Sequence, residues 1–265
     1  MDFLQLNGKK VLIFGIANRK SVAYHIAALL REVGADIICS VYGEEQRQCV
    51  KKYFPDAPVY CCDVADEEQA RTVAQTIGAA HPGIYGLVHS IAYANYAAGL
   101  KPFHETPKAD FLKAVEVSCY SLIMLAGLYK NYMDPDGAMV TISISSTRLA
   151  AENYGYMAPV KAALDSSVCF LAKSLSADTR IRVNGVGAAL LKTSASAGIP
   201  GYIEPYLFAE KATLRKQALR TEEVANVAVF LLSPRAAGIN AGTVIVDAGM
   251  ACNFFDREIV AKVNS

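Results

Sequence analysis

Seven short runs of apolar residues recur along this chain with few polar residues inside them: 10–15, 36–41, 59–62, 86–90, 138–143, 181–186 and 243–246. A strand with one wet face alternates apolar and polar residues. A run that is apolar throughout is buried on both faces, the mark of a parallel sheet. Between the runs lie segments with helical spacing at 21–33, 44–53, 67–77, 108–132, 154–175 and 222–232, the first ending at Gly34. The repeated strand–helix order predicts a single α/β domain over 1–265, a Rossmann-type doubly wound fold whose seven-stranded parallel sheet is flanked by helices. No repeat or low-complexity linker divides it. The stretch 192–220 has no clear period and is read as an irregular segment and a candidate substrate lid. Its Tyr202, Tyr206 and Phe208 either line that lid or form the apolar face of a helix.

In such sheets ligands sit beyond the carboxyl ends of the strands, so chemistry is sought at Gly15, Val41, Cys62–Asp63, Ser90–Ala92, Ser143–Ser145 and 186–189. Composition narrows the partners. Lys and Arg number 26 against 25 acids, which gives no electrostatic case for nucleic acid. The first ten residues lack a basic and then apolar signal region, and no stretch reaches about 18 uninterrupted apolar residues, so neither secretion nor a membrane span is expected. Seven Cys without a C-x-x-C pair read as buried thiols of a reducing cytoplasm, with no metal site.

Two constellations carry chemistry. The first strand ends in Gly15, followed by Ser21, Val22 and Ala23 at the start of a helix. This is not G-x-G-x-x-G, yet Gly15 permits a sharp turn, Ser21 can cap the helix, and Ala23 allows close packing. The helix N-terminus then faces a pyrophosphate. The second is Tyr154 with Lys161. Ordinary short-chain dehydrogenases place Tyr four residues before Lys, where this chain has Met157. Tyr154 precedes Lys161 by seven residues, close to two helical turns, so the pair is predicted to share one face, whereas Tyr156, five residues before, points away. His89 at a strand end reads as a packed residue, and Asp134–Gly137 as a turn before a strand.

These motifs together resemble the enoyl-acyl-carrier-protein reductases, a divergent branch of the short-chain dehydrogenases. Gly15-x5-Ser21-x-Ala23, Cys62-Asp63-Val64-Ala65, the run 89–94, the segment 153–164 around Tyr154 and Lys161, Arg182-Val183-Asn184 and Val246-Asp247-Ala248-Gly249 follow the family's order along nearly the whole chain. The resemblance implies catalysis by Tyr154 and Lys161. It implies a dinucleotide held by Gly15, Ser21, Val22, Tyr42, Asp63, Val64, Ser90, Ile91, Ala92, Lys161, Ala189 and Thr193. It implies a substrate pocket of Tyr93, Ala94, Ile144, Tyr154 and Met157, an enoyl substrate linked to acyl carrier protein or coenzyme A, and a homotetramer. The chain departs from the family where Ile144 replaces a second tyrosine, Ala189-Leu190 a Gly-Pro, Leu214 a proline and Ala248 a glycine.

After the second strand comes Val41-Tyr42-Gly43-Glu44-Glu45, with no cation for a 2′-phosphate and two acids that would repel it, so NADH is expected over NADPH. The same acids also suit the start of a helix. Two rival readings stand beside the reductase: a short-chain dehydrogenase acting on another enone or carbonyl, and a dinucleotide-binding homologue without catalysis.

Overall fold

The apolar runs form seven strands, β1 Lys10–Phe14, β2 Asp36–Val41, β3 Val59–Cys61, β4 Ile84–His89, β5 Met133–Ile144, β6 Arg182–Ala188 and β7 Thr243–Val246. The structure is a computed structural model that describes residues 2–97, 99–151 and 154–263. The strands pair in the order β3-β2-β1-β4-β5-β6-β7, and every pairing is parallel. The order reverses between β1 and β4, which opens a crevice at their carboxyl ends. The helices are α1 Val22–Glu32, α2 Glu44–Tyr53, α3 Glu67–Ala80, α4 Lys108–Val115, α5 Ser121–Tyr129, α6 Met157–Leu175, α7 Ser194–Ala197, α8 Ile203–Ala212, α9 Thr221–Leu232 and α10 Arg257–Val263.

Because both sheet faces are covered, alternate residues of one strand feed two cores. Val11 and Ile13 of β1 join α1 and α9, while Leu12 and Phe14 join α3, α5 and α6. Burying each such side chain stabilises the fold by roughly 1.5–3 kcal/mol. The Arg182-Val183-Asn184 motif staples the amino end of β6. Arg182 donates to the carbonyls of Leu231, Leu232, Ser233, Ala236 and Ile239, closing the C-terminus of α9. Asn184 donates to Ile239 at 2.8 Å.

The structure corrects several expectations. The run 108–132 is not one regular helix: a five-residue π turn, Glu116–Tyr120, separates α4 from α5. By length and composition this run could cross a membrane, but Ala114, Cys119, Leu122, Leu125, Ala126 and Tyr129 are buried in the second core. The expected helix 154–175 begins only at Met157, because Gly155 takes a left-handed φ of 57° that breaks the helical screw. Residues 192–220 are not irregular throughout; they hold α7 and α8. Thr193 caps α7 through a reciprocal bond with Ser196. In α8, Tyr206 and Ala209 are buried while Ile203, Leu207 and Phe208 are exposed, so apolar residues on both faces erase the period. Asp134–Gly137 is a bulge within β5 where the register with β4 jumps, and the Asp136 amide donates to Asp134 Oδ1 at 2.9 Å as in a turn. All seven cysteines are free, but Cys169 and Cys252 are exposed and Cys49 and Cys61 half-buried, so the buried-thiol reading holds for Cys39, Cys62 and Cys119 only.

Candidate active site

The crevice begins at Gly15. Its φ of 97° is a conformation that favours glycine. A Cβ there would also sit on the Ser90 carbonyl oxygen, so the loops after β1 and β4 can meet only at a glycine. Ser21 caps α1, accepting from the Tyr24 amide at 3.3 Å and donating to the Asn18 carbonyl at 2.7 Å. Val22 is buried as the first residue of α1, whose open N-terminus suits an anion. At the next strand ends, Tyr42 is exposed, Val64 is buried, and Asp63 Oδ1 accepts from the Ala65 amide at 2.9 Å. Ser90 and Ile91 are half-buried and Ala92 is exposed. Across the crevice, the half-buried Ala189 is tied to β7 by its amide, which donates to the Val246 carbonyl at 3.0 Å. A cradle that would reject even a methyl group beside a helix N-terminus fits a dinucleotide.

Glu44 and Glu45 occupy the first turn of α2. Arg47 lies one turn on and reaches Glu44 at 3.4 Å, both ends being solvated, so the region is less acidic than its first residues suggest.

Lys161 is 4% exposed, and its Nζ donates to the Ile142 carbonyl at 2.7 Å. Burial lowers its pKa to about 8, opposed by Asp165 and Cys119. Among the described residues one of its three donors is engaged, which leaves two for a ligand. Tyr154 lies in the turn before α6, half-buried, near enough to Tyr96 and Tyr202 that each would oppose its ionisation. Burial, the larger cause, also pushes its pKa up, so the phenol is a donor at neutral pH. Its hydroxyl has no hydrogen-bond partner among the described residues. No hydrogen bond joins it to Lys161, and with Gly155 outside the helix the two do not share a helical face. Asn153 of the same segment lies outside the described residues.

His89 is fully buried between Thr141 and Ser121, at 2.8 Å from each hydroxyl. Ser121 directs its single proton to the Val117 carbonyl, so His89 Nε2 is the donor and Nδ1 the acceptor. Burial, with Lys161 adding to it, lowers the His89 pKa to about 3. It is a neutral packing residue, as its position suggests. Met157 is buried in the second core, and Ile144 is half-buried at the end of β5. Tyr93 is exposed and Ala94 half-buried. Sequence patterns gave no sign of Tyr96 beside Tyr154, because an isolated aromatic in a loop has no period. Nor did they show the Ser194 hydroxyl donating to Asn18 Oδ1 at 2.7 Å, a bond between residues 176 positions apart that ties α7 to the loop after β1.

A family model described as enoyl-(acyl carrier protein) reductase matches residues 15–251. The chain belongs to that family. The NADH enzyme FabI of Enterococcus faecalis is 32% identical over 92% of this chain and 98% of its own. The NADPH enzyme FabI of Staphylococcus aureus is also 32% identical, over 93% and 98%. The crystal structure of the enoyl-acyl-carrier-protein reductase (NADH) from Aquifex aeolicus superposes with a TM-score of 0.88 at 31% identity, covering 93% of this chain and 97% of that one. The chain is therefore an oxidoreductase of the enoyl reductase kind on a Rossmann-type fold, and the family's relatives include both NADH and NADPH enzymes.

Proposed function

We infer that this chain reduces the C2–C3 double bond of an enoyl thioester in fatty acid biosynthesis, with NADH in preference to NADPH. The observation that carries the reading is Lys161, a buried ammonium at the carboxyl end of β5 with two donors unused among the described residues. Gly15, Ser21, Val22, Tyr42, Asp63, Val64, Ser90, Ile91, Ala92, Ala189 and Thr193 would hold the dinucleotide along the strand ends, and Lys161 would bind the ribose hydroxyls and so fix the nicotinamide. The bound cofactor supplies the hydride. Tyr93, Ala94, Ile144 and Met157 line the acyl side. Tyr154, kept protonated by burial, donates to the thioester carbonyl oxygen where negative charge gathers. The substrate arrives on acyl carrier protein or coenzyme A, and the chain works in the cytoplasm as a homotetramer.

The test is NADH absorbance with a crotonyl thioester and, separately, with a simple ketone. Consumption with the thioester alone upholds the reading; consumption with the ketone overturns it in favour of carbonyl reduction, and binding without turnover overturns catalysis. Tyr154→Phe should lower kcat on the order of 10²-fold with NADH affinity kept, the effect of losing one donor to a developing oxyanion. Full activity in that variant would remove Tyr154 from the chemistry. Fluorescence titration should give NADH several-fold tighter binding than NADPH; equal affinity would mean that Arg47 offsets the two glutamates.

A further inference from the structure

Residues 90–96, between β4 and α4, have no regular structure, yet they carry Tyr93 and Ala94 of the acyl wall. Two hydroxyls hold this segment as a neighbouring strand would. The Tyr93 amide donates to Ser118 Oγ at 2.8 Å, and Ser118 Oγ donates to the Tyr93 carbonyl at 3.2 Å. Two residues on, the Asn95 amide donates to the Tyr156 hydroxyl at 2.9 Å, and that hydroxyl donates to the Asn95 carbonyl at 3.2 Å. A hydroxyl both gives and accepts, so one such group can satisfy both backbone positions of a residue.

The two clamps come from separate elements. Ser118 is fully buried in the π turn, whose wider coil is a departure from the α-helix that recurs at functional sites. Tyr156 is buried just before α6, with Tyr96 stacked on its ring at 6.3 Å and Phe111 edge-on at 6.2 Å. The Asn95 side chain extends the clamp, donating to Asp110 of α4 at 2.9 Å. Tyr96 closes the circuit, its hydroxyl donating to the Tyr154 carbonyl at 3.4 Å. Tyr156 thus touches the wall through Asn95 and the backbone of Tyr154 through Tyr96.

We propose that Tyr156 is a positioning residue which, with Ser118, holds the segment 93–96 as a preformed wall against Tyr154 for the acyl substrate. The proposal rests on the enoyl reductase reading for its kinetic part. Loosening the wall makes the incoming acyl group bear the ordering of the segment, which weakens substrate binding more than the chemical step.

The experiment compares the full chain with Tyr156→Phe and, independently, Ser118→Ala. Crotonyl-coenzyme A is varied at saturating NADH, and amide hydrogen exchange is followed over 93–97. Each variant should raise KM for the thioester roughly tenfold, change kcat by less than about twofold, and leave NADH affinity unchanged. Exchange at the Tyr93 and Asn95 amides should quicken. A tyrosine that merely fills the core would lower Tm with KM unmoved, which overturns the proposal. A fall in kcat at constant KM overturns it too, since Tyr156 would then act in the chemistry. Should Tyr156→Phe not fold, Ser118→Ala decides by the same readings. A parent chain that leaves crotonyl-coenzyme A untouched refutes the enoyl reductase reading instead. The exchange data then judge the clamp by themselves: unaltered protection at Tyr93 and Asn95 ends it, and quickened exchange upholds it.

Discussion

Lys161 sits where water would keep it charged at far higher pH, and burial alone opposes that charge. Its pKa is about 8 in the folded chain against 10.5 in the open. Below pH 8 both states hold the proton, and the cost of burying the ammonium is present in full. Between about 8 and 10.5 the unfolded chain holds a proton that the folded chain lacks, so the Lys161 contribution to stability rises with pH. Lys161→Met has no such term. The parent should therefore gain on this variant by on the order of 3 kcal/mol from pH 7 to pH 10. In a domain of this size that is several degrees of Tm, read from parallel melts at each pH. Curves that stay parallel would mean that the ammonium is solvated. The Tyr-x6-Lys spacing, set among the other motifs of the family, led to Lys161 and Tyr154, but the route was inexact. The seven-residue interval suggests a shared helical face, whereas Gly155 leaves the helix at φ 57° and takes Tyr154 with it. A glycine between two tyrosines does not reveal whether it will turn left-handed, because it can also continue a helix.

At the scale of elements, Arg182 shows how a motif shared with a catalytic family can have a purely structural part. Its guanidinium is buried at the amino end of β6, and its donors reach the last carbonyls of α9 and the turn that follows. The carbonyl ends of α9 supply the negative pole that a buried cation requires. Arg182→Lys keeps the charge but offers a single nitrogen for carbonyls spread over Leu231 to Ile239. Several buried carbonyls lose partners at about 1–3 kcal/mol each. Differential scanning calorimetry should show Tm falling on the order of 10 °C. NADH affinity measured well below that temperature should not change, since the crevice lies at the opposite end of the strands. A weakened affinity at unchanged Tm would move Arg182 into the site. The strands themselves were legible because burial on both faces leaves an unbroken apolar run. The bulge at Asp134–Gly137 was legible only as a turn, and α8 only as one of two readings of Tyr202, Tyr206 and Phe208. A helix that is apolar outside at Ile203, Leu207 and Phe208 and inside at Tyr206 has no amphipathic signature.

Across the whole molecule the sheet divides labour between its two ends. The amino ends hold stabilising contacts: Lys9 over the Tyr85 ring at 3.8 Å, the Asp136–Arg180 pair and the Arg182 staple. The carboxyl ends gather Gly15, Tyr42, Ser90, Tyr154, Lys161 and Ala189, residues far apart in sequence. Over this second end lies the segment 192–220. Its carboxyl half is anchored, the Leu214 amide donating to the Ala248 carbonyl at 3.0 Å and Asn253 donating to the Ala212 carbonyl at 2.8 Å, whereas the grip on its amino half is polar and sparse: Ser194 to Asn18 at 2.7 Å, and the Tyr202 hydroxyl on the Leu191 amide at 3.0 Å and its carbonyl at 2.9 Å. Of these bonds, Ser194–Asn18 crosses from the end of β6 past β5 and β4 to the loop after β1, which is the span a bound dinucleotide would occupy. That amino half, with an exposed apolar face on α8 and few polar bonds to the body among the described residues, opens locally at a fraction of the global cost. Substrate would add contacts along Tyr202 and Tyr206 and raise that opening cost, the behaviour of a lid. Hydrogen exchange over 192–220 should therefore be fast in the free chain, slow partly with NADH alone, and slow further with NADH and a non-reducible acyl thioester. The intermediate step is the informative one. Ser194→Ala should abolish the protection gained with NADH alone, because α7 would lose its bond to Asn18 in the loop after β1, yet keep most of what the thioester adds. Protection that stays unchanged through both additions would make 192–220 a fixed part of the fold and not a lid.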